Sequence, residues 1–154
     1  MDDIARLAER VGAKLKARNE TVAVAESTAG GLISAALLSV PGASAYYLGG
    51  IVVYNARGRE LLLGRPSTQW GLVPDREQWT LTMARDLRER FGATWGLGES
   101  GSAGPTGLAP GCTCTALAGP YETVRKIDTG SADRTSNMTR FAMATLRLLD
   151  EATE

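Results

Sequence analysis

The stretch V-A-V-A-E-S-T-A-G-G, residues 22–31, decides the fold. Its apolar start predicts a buried strand over residues 21–25, and the apolar segment around and after the two glycines predicts a helix over residues 31–40. Ser27 and Thr28 therefore lie at a strand-to-helix turn, beside a helix N-terminus. At such a turn a hydroxyl can face a ligand, and backbone N–H groups favour anions.

Outward from this unit, apolar residues at helical or alternating spacing predict the other elements. Alternation of helices and strands in the first half, followed by a hairpin, predicts a layered α/β domain whose sheet contains strands of both directions. Ligands of such sheets bind at the C-terminal ends of strands. The other predicted helices span 3–18, 59–63, 75–91 and 133–149, and the other predicted strands span 46–54, 93–98, 112–118 and 121–128.

The length and charge of the chain limit its organisation and its partners. With 154 residues it is long enough for one domain, which we expect to span residues 1–154. The 17 basic residues balance the 17 acidic ones, so no net charge draws the chain to nucleic acid or to a membrane surface. The first twenty residues are charged throughout, and no apolar run reaches transmembrane length. We therefore expect a cytoplasmic protein, with neither nucleic acid nor a membrane as partner.

The absence of histidine excludes a Ser-His-Asp triad and a histidine-bound metal. Cys112 and Cys114 alternate within a predicted strand, so their side chains point to the same face and are poorly placed to bond each other. Two cysteines are also too few for a zinc site, which takes about four ligands. We expect two buried thiols, no metal site and no other cofactor.

A second segment, E-S-G-S-A-G-P-T-G over residues 99–107, combines hydroxyls with glycines at the end of a predicted strand. Its backbone N–H groups, together with the hydroxyls of Ser100 and Ser102, can hold a phosphate or a carboxamide. Each of the two segments also has a purely structural explanation, because Ser and Thr are preferred helix caps and Gly-Pro turns are common. Their occurrence together favours a ligand site.

Three ordered motifs resemble the C-terminal domain of the CinA family, whose stand-alone members include nicotinamide mononucleotide deamidases of the PncC type. The motifs are V-A-E-S-T-A-G-G-L-I-S at 24–34, P-G-A-S-A-Y-Y-L-G-G-I-V-V-Y-N at 41–55 and S-G-S-A-G-P-T-G at 100–107. The resemblance extends over residues 3–150. It implies a three-layer α/β/α domain, assembled as a homo-oligomer, that hydrolyses the carboxamide of this small-molecule nucleotide to the acid and ammonia.

The resemblance also implies roles for individual residues. Ser27 is the expected nucleophile, with Tyr54 and Ser100 as supporting site residues. Serine attack on an amide needs a group that accepts the hydroxyl proton and N–H groups that hold the oxyanion. Arg134 is expected to meet the substrate, with a plain place in the first turn of its helix as the alternative. The expected substrate-binding residues are Thr28, Gly30, Gly31, Gly101, Gly104, Arg57 and Arg134.

The chain departs from the family at the expected base, a lysine a few residues after the tyrosine. Arg59 occupies that position in Y-N-A-R-G-R, and an arginine, whose guanidinium stays protonated at all relevant pH values, cannot act as a neutral base. We therefore expect Arg59 to hold a phosphate or to stabilise the oxyanion. Glu26, Glu99 and Lys126 remain as candidate bases, although capping or ion pairing is the favoured role of each glutamate.

Two other functions stay open at this point. A domain that has lost its base can persist as a non-catalytic nucleotide-binding module, and Arg59 in the lysine position is the feature that suggests it. A structural or regulatory domain that acts through oligomer formation is suggested by Tyr46, Tyr47 and the apolar helix over residues 31–40.

Overall fold

A mixed sheet organises the chain in a computed structural model that describes residues 2–64 and 76–154. Within these residues the strands are β1 (Val22–Glu26), β2 (Tyr47–Val52), β3 (Trp95–Gly101), β4 (Cys112–Ala118) and β5 (Thr123–Asp128). They lie in the order β2-β1-β3-β4-β5. β1 is parallel to β2 and β3, whereas β4 is antiparallel to β3 and β5. The predicted sheet of mixed direction is confirmed.

Helices cover both faces of this sheet. In the described ranges they are α1 (Asp2–Arg18), α2 (Leu32–Leu38), α3 (Ala56–Leu63), α4 (Arg76–Phe91) and α5 (Arg134–Ala152). Buried side chains of α1, α2 and α5 form one core with Val22 and Val24 of β1, and those of α3 and α4 form another with Ala23 and Ala25. Alternate residues of β1 thus point into opposite layers, as the period of a strand requires. The expected three-layer α/β/α domain is confirmed.

Two predicted boundaries are corrected by hydrogen bonds. α3 begins three residues before the predicted helix, because the side-chain oxygen of Asn55 accepts from the backbone N–H of Gly58 at 2.9 Å and caps the helix. β3 extends three residues beyond the predicted strand, because Ser100 and Gly101 pair with β4. The predicted capping box of α4 begins at Asp75, which lies outside the described residues.

The C-terminal ends of β1, β2 and β3 meet at one edge of the sheet, because the three strands run parallel. Glu26 of β1 pairs in register with Glu99 of β3 on one side and with the last residue of β2 on the other. Ser27, Ser100 and Tyr54 each lie at or just beyond the end of one of these strands. The fold therefore brings residues of the motifs at 24–34, 41–55 and 100–107 together at this edge of the sheet.

The cysteines are free thiols. Cys114 is buried but Cys112 only partly so, and the expectation of two buried thiols therefore holds for Cys114 alone. Burial and the neighbouring carboxylate of Asp128 raise the pKa of the Cys112 thiol. Across residues 2–64 and 76–154, no cluster of acidic, Cys or His side chains is suited to a metal ion, and no helix has the length and apolar character to cross a membrane.

Candidate active site

A cavity of about 280 Å³ lies at the edge where β1, β2 and β3 end. The predicted catalytic residues Ser27, Tyr54, Arg59 and Ser100 all line it, as do two of the predicted binding residues, Thr28 and Gly101. The structure therefore brings together side chains from the strand-to-helix turn, from α3 and from the glycine-rich segment. The rest of the described wall consists of Val53, Arg76, Trp79 and Met83.

The carboxylate of Glu99 holds the turn that carries Ser27. Glu99 is fully buried, and its Oε1 accepts from the backbone N–H groups of Ser27 at 3.2 Å and Ala29 at 2.7 Å. Its Oε2 accepts from the hydroxyls of Thr28 and Thr113, the latter at 2.7 Å. Burial raises the pKa of Glu99, whereas the four hydrogen bonds lower it, and the effect of burial is the larger. The turn that carries Ser27 is thus fixed to the neighbouring strand β3.

Glu26 occupies the N-terminus of α2 in the same way. Its buried carboxylate accepts from the backbone N–H groups of Gly31 at 2.8 Å, Ile33 at 3.0 Å and Ser34 at 2.9 Å. These are N–H groups that a helix leaves without an internal partner. The anion that this helix N-terminus attracts is therefore the chain's own glutamate, and the favoured capping role of Glu26 is observed.

Five predicted binding residues are not among the residues that line the cavity: Gly30, Gly31, Arg57, Gly104 and Arg134. Gly30 has a φ of +67°, and a Cβ added to it would lie 2.6 Å from the methyl carbon of Met138, so this glycine lets α5 pack against the turn. Gly31 has a φ of +100° and donates its N–H to Glu26. Arg57 is exposed on α3. Their part in ligand binding stays a prediction.

Arg134 joins the cavity wall to the glycine-rich segment. Its Nη2 donates to the Tyr54 hydroxyl at 3.1 Å, and its Nη1 donates to the carbonyl oxygen of Gly104 at 2.7 Å. Buried Asn137, one turn further along α5, donates its amide to the carbonyl oxygen of Ala103 at 2.9 Å. The start of α5 therefore anchors the segment that follows β3 and places a guanidinium beside Tyr54.

The sequence model of the CinA C-terminal domain matches residues 4–153. The chain belongs to the CinA family. A CinA-like protein of Anaeromyxobacter dehalogenans is 38% identical over 152 residues, which cover 92% of this chain and 37% of that protein. A putative competence-damage inducible protein of Desulforamulus reducens is 39% identical over 125 residues, covering 77% of this chain and 30% of that one. This CinA domain thus spans about a third of the length of the curated relatives it matches.

Solved structures of CinA proteins have the same fold. The competence/damage inducible protein CihA of Agrobacterium tumefaciens superposes with a TM-score of 0.90 at 26% identity, over 99% of this chain and 96% of the other. A competence or damage-inducible protein of Enterobacter asburiae gives a TM-score of 0.88 at 27% identity, over 98% of each chain. The three-layer architecture is therefore that of the CinA domain.

The three candidate bases of this CinA domain differ in their contacts. Lys126 on β5 pairs with Glu77 of α4 at 2.8 Å and is not among the residues that line the cavity. The three hydrogen bonds found for the carboxylate of Glu26 are all with backbone N–H groups. Glu99 alone of the three candidates bonds a hydroxyl of a residue that lines the cavity, Thr28.

The wall residues contributed by α4 were missed by sequence reasoning. Trp79 belongs to the core as well as to the cavity wall. Arg76 gave no signal, because only the packing of α4 against the sheet brings this first helical residue to the edge. Asn137 did give a signal, since an asparagine within the apolar face of a helix must find hydrogen-bond partners when it is buried.

Proposed function

We propose that this CinA domain is an amidohydrolase that cleaves the carboxamide of nicotinamide mononucleotide, or of a related small amide, to the acid and ammonia, with Ser27 as nucleophile. One observation carries the proposal. Ser27 lies on a turn fixed by a buried carboxylate and lines a cavity together with Tyr54, Ser100 and Arg59. A fixed hydroxyl in a polar cavity is what nucleophilic attack on an amide requires.

The charges around the cavity support an anionic substrate. Arg59 and Arg76 both line it, and none of its described lining residues is acidic. A guanidinium matches the oxygen geometry of a phosphate and stays charged at all relevant pH values. The volume of about 280 Å³ lies near the lower end of ligand pockets, which suits a small mononucleotide.

Two backbone N–H groups close to Ser27 are not available to hold the oxyanion. The N–H groups of Ser27 and Ala29 are bonded to Glu99 and so point away from a bound amide. Arg59 lines the cavity beside Ser27 and has the charge that a tetrahedral oxyanion needs. In this proposal Arg59 stabilises the oxyanion and does not accept the proton of Ser27.

Ammonia release tests this function directly. Wild type, Ser27→Ala and Ser102→Ala are incubated with nicotinamide mononucleotide, and ammonia is measured beside nucleotide binding by calorimetry. Ser102 is the matched control: its hydroxyl was expected from the sequence to help hold the ligand, but the structure does not place it among the residues that line the cavity. We expect turnover in wild type and in Ser102→Ala, and its loss in Ser27→Ala. Equal turnover in all three proteins would refute Ser27 as nucleophile.

A non-catalytic nucleotide-binding module is the second candidate, and Arg59 at the position of the family lysine is the observation that favours it. This candidate predicts tight nucleotide binding without ammonia release in wild type and in Ser27→Ala. Arg59→Lys adds a direct test. A gain of activity would indicate that this chain had lost its base, whereas a further fall would indicate that Arg59 has a role of its own.

We also propose that this CinA domain assembles as a homo-oligomer. β2 is an edge strand of the described sheet, with Leu48 and Val52 about half exposed. Apolar side chains on an edge strand favour contact with a second chain. Light scattering of wild type and Val52→Lys tests this, with a lower mass expected for the variant and a monomeric wild type as the contrary result.

A further inference from the structure

Ser27 needs a base that accepts its proton, and two buried glutamates lie near its turn. They differ in whether a hydroxyl group donates a hydrogen bond to the carboxylate. Glu26 and Glu99 stand at paired register positions of β1 and β3, and both are fully buried. Glu26 accepts hydrogen bonds from backbone N–H groups, which do not release protons. Glu99 also accepts from two hydroxyls, those of Thr28 and Thr113, and a hydroxyl can pass a proton on.

We infer that Glu99 is the terminal proton acceptor for Ser27 and that it acts through the hydroxyl of Thr28. This inference rests on the proposed function and names the missing base of that same site. Ser27 and Thr28 are consecutive, and both line the cavity. Thr28 is nearly buried and bonds Oε2 of Glu99, so it connects the cavity to a carboxylate that no ligand reaches directly.

The proposed step is balanced without any added reagent. As Ser27 Oγ bonds the amide carbon, its proton moves to Thr28 Oγ1 while the Thr28 proton moves to Glu99 Oε2, and the carbonyl electron pair moves to oxygen. When the tetrahedral intermediate collapses, the carbonyl re-forms and the C–N bond breaks, while the proton passes from Glu99 Oε2 through Thr28 Oγ1 to the leaving nitrogen, which departs as ammonia. Water then attacks the acyl carbon and gives its proton to Glu99 through Thr28. As the bond between the acyl carbon and Ser27 Oγ breaks, that proton returns to Ser27 Oγ and the acid is released.

The surroundings of Glu99 fit a group that accepts and returns a proton. The groups that bond it are the hydroxyls of Thr28 and Thr113 and the N–H groups of Ser27 and Ala29, all of them neutral. The charged group at the paired position is the carboxylate of Glu26. Burial raises the pKa of Glu99, which makes the carboxylate a stronger base than an exposed glutamate.

Thr28 and Thr113 form a matched pair for the test. Each hydroxyl donates to the same carboxylate oxygen, and valine replaces either threonine with nearly the same shape. Only Thr28 is among the residues that line the Ser27 cavity. A structural role of Glu99 predicts similar effects of Thr28→Val and Thr113→Val, whereas the relay predicts a large effect of Thr28→Val alone.

The experiment uses a fluorophosphonate probe, in which an activated serine displaces fluoride, so its readout does not depend on the natural substrate. The labelling rate of Ser27 is followed by mass spectrometry from about pH 4 to about pH 9. The proteins compared are wild type, Thr28→Val, Thr113→Val and Glu99→Gln. Thermal unfolding is measured for each protein. The side-chain oxygen of glutamine can still accept from the N–H groups of Ser27 and Ala29, and its NH₂ group can donate to the hydroxyls of Thr28 and Thr113. The Glu99→Gln variant therefore preserves the turn but cannot take a proton.

We expect Thr28→Val and Glu99→Gln to label about a hundredfold or more slowly than wild type, and Thr113→Val to stay within about threefold. The wild-type rate should fall as the pH drops through the pKa of Glu99, and Glu99→Gln should lack this fall. Equal effects of the two valine variants, wild-type labelling by Glu99→Gln, or no labelling of Ser27 in wild type would each overturn the inference. Labelling as expected without ammonia from nicotinamide mononucleotide would refute the proposed substrate alone.

Discussion

Replacing each buried glutamate by glutamine should change the free energy of unfolding by very different amounts, although the two carboxylates are register neighbours in the sheet. At Glu26 both oxygens face N–H donors, Oε1 two of them and Oε2 that of Ser34. In Glu26→Gln the amide oxygen can satisfy the first two donors, but the new NH₂ group then faces the N–H of Ser34. At Glu99 the N–H donors share Oε1, and Oε2 faces hydroxyls, which can turn and accept.

The size of the difference follows from these contacts. Glu26→Gln loses one charge-assisted hydrogen bond, worth about 1.5–3 kcal/mol, and leaves buried donors facing each other. It also removes the negative charge from the N-terminus of α2, worth about 0.3–1 kcal/mol. We expect the free energy of unfolding to fall by about 2–4 kcal/mol. Glu99→Gln keeps all four hydrogen bonds and removes a buried charge, so its effect should stay within about 1 kcal/mol and can be stabilising.

The pH dependence sharpens this prediction. The pKa of Glu99 is raised in the folded protein, so the folded state binds the proton more tightly than the unfolded state. Wild-type stability should therefore fall as the pH rises from the unfolded pKa of about 4.3 to the folded value. Glutamine has no such titration, so the stability of Glu99→Gln relative to wild type should rise over the same interval.

Urea unfolding followed by tryptophan fluorescence measures these free energies, since Trp95 is buried in the sheet. Glu9→Gln, at an exposed position of α1, controls for the loss of one carboxylate and should lie within about 0.5 kcal/mol of wild type. A loss in Glu99→Gln as large as that in Glu26→Gln would refute the reasoning from donors and acceptors. So would a Glu26→Gln variant as stable as wild type.

Other predictions concern the cavity, the packing of α5 and an ion pair. Arg76→Ala should raise the KM for nicotinamide mononucleotide about tenfold or more and change kcat little, because in the proposed function Arg76 binds the phosphate and takes no part in the attack on the amide; a KM equal to that of wild type in steady-state assays would contradict this role. Gly30→Ala should destabilise the domain by about 2 kcal/mol in urea, because φ is +67° and the new Cβ would press on Met138, and an unchanged midpoint would count against the packing argument. Asp150 bonds Arg10 and Lys14, and chiefly the Arg10 hydrogen bond lowers the pKa of Asp150. Because Arg10 is largely exposed, solvent screens this ion pair and its stabilisation is small. This stabilisation should be present above the unfolded pKa of about 3.9 and be lost as the pH falls through the folded value. The difference between wild type and Asp150→Asn should therefore shrink from pH 7 to pH 3 in urea titrations.

The fold was largely predictable because its signals are local. β4 has the predicted bounds, and β1 lies within one residue of them, because apolar runs between turn residues mark buried strands. The early start of α3 could also have been predicted, since asparagine is a preferred N-cap and Asn55 caps this helix. It was missed because the predicted strand extended to Tyr54. The pairing of Ser100 and Gly101 with β4 depends on a partner strand, and no local pattern shows that.

The site was predictable where a motif marks it. Hydroxyls and glycines at strand ends indicated Ser27 and Ser100, the family resemblance indicated Tyr54 and Arg59, and all four residues line the cavity. Glu99 was one of three candidate bases, but its contacts with Thr28 and Thr113 could not be predicted, because these partners lie 71 and 14 positions away. Arg76 depends on how α4 crosses the sheet edge. Contacts between distant elements follow from packing, which a single sequence does not display.

The hydrogen bonds between Glu99 and the Ser27 turn also have a consequence for refolding. They join residues some 70 positions apart, across parallel strands whose pairing requires the closure of a long loop. Long-range parallel pairing forms slowly, because the entropy of loop closure is lost before the contacts are gained. After dilution from urea, helical signal should therefore return before Ser27 becomes reactive. Probe labelling of Ser27 would then report the last stage of chain assembly, when β1 and β3 are joined.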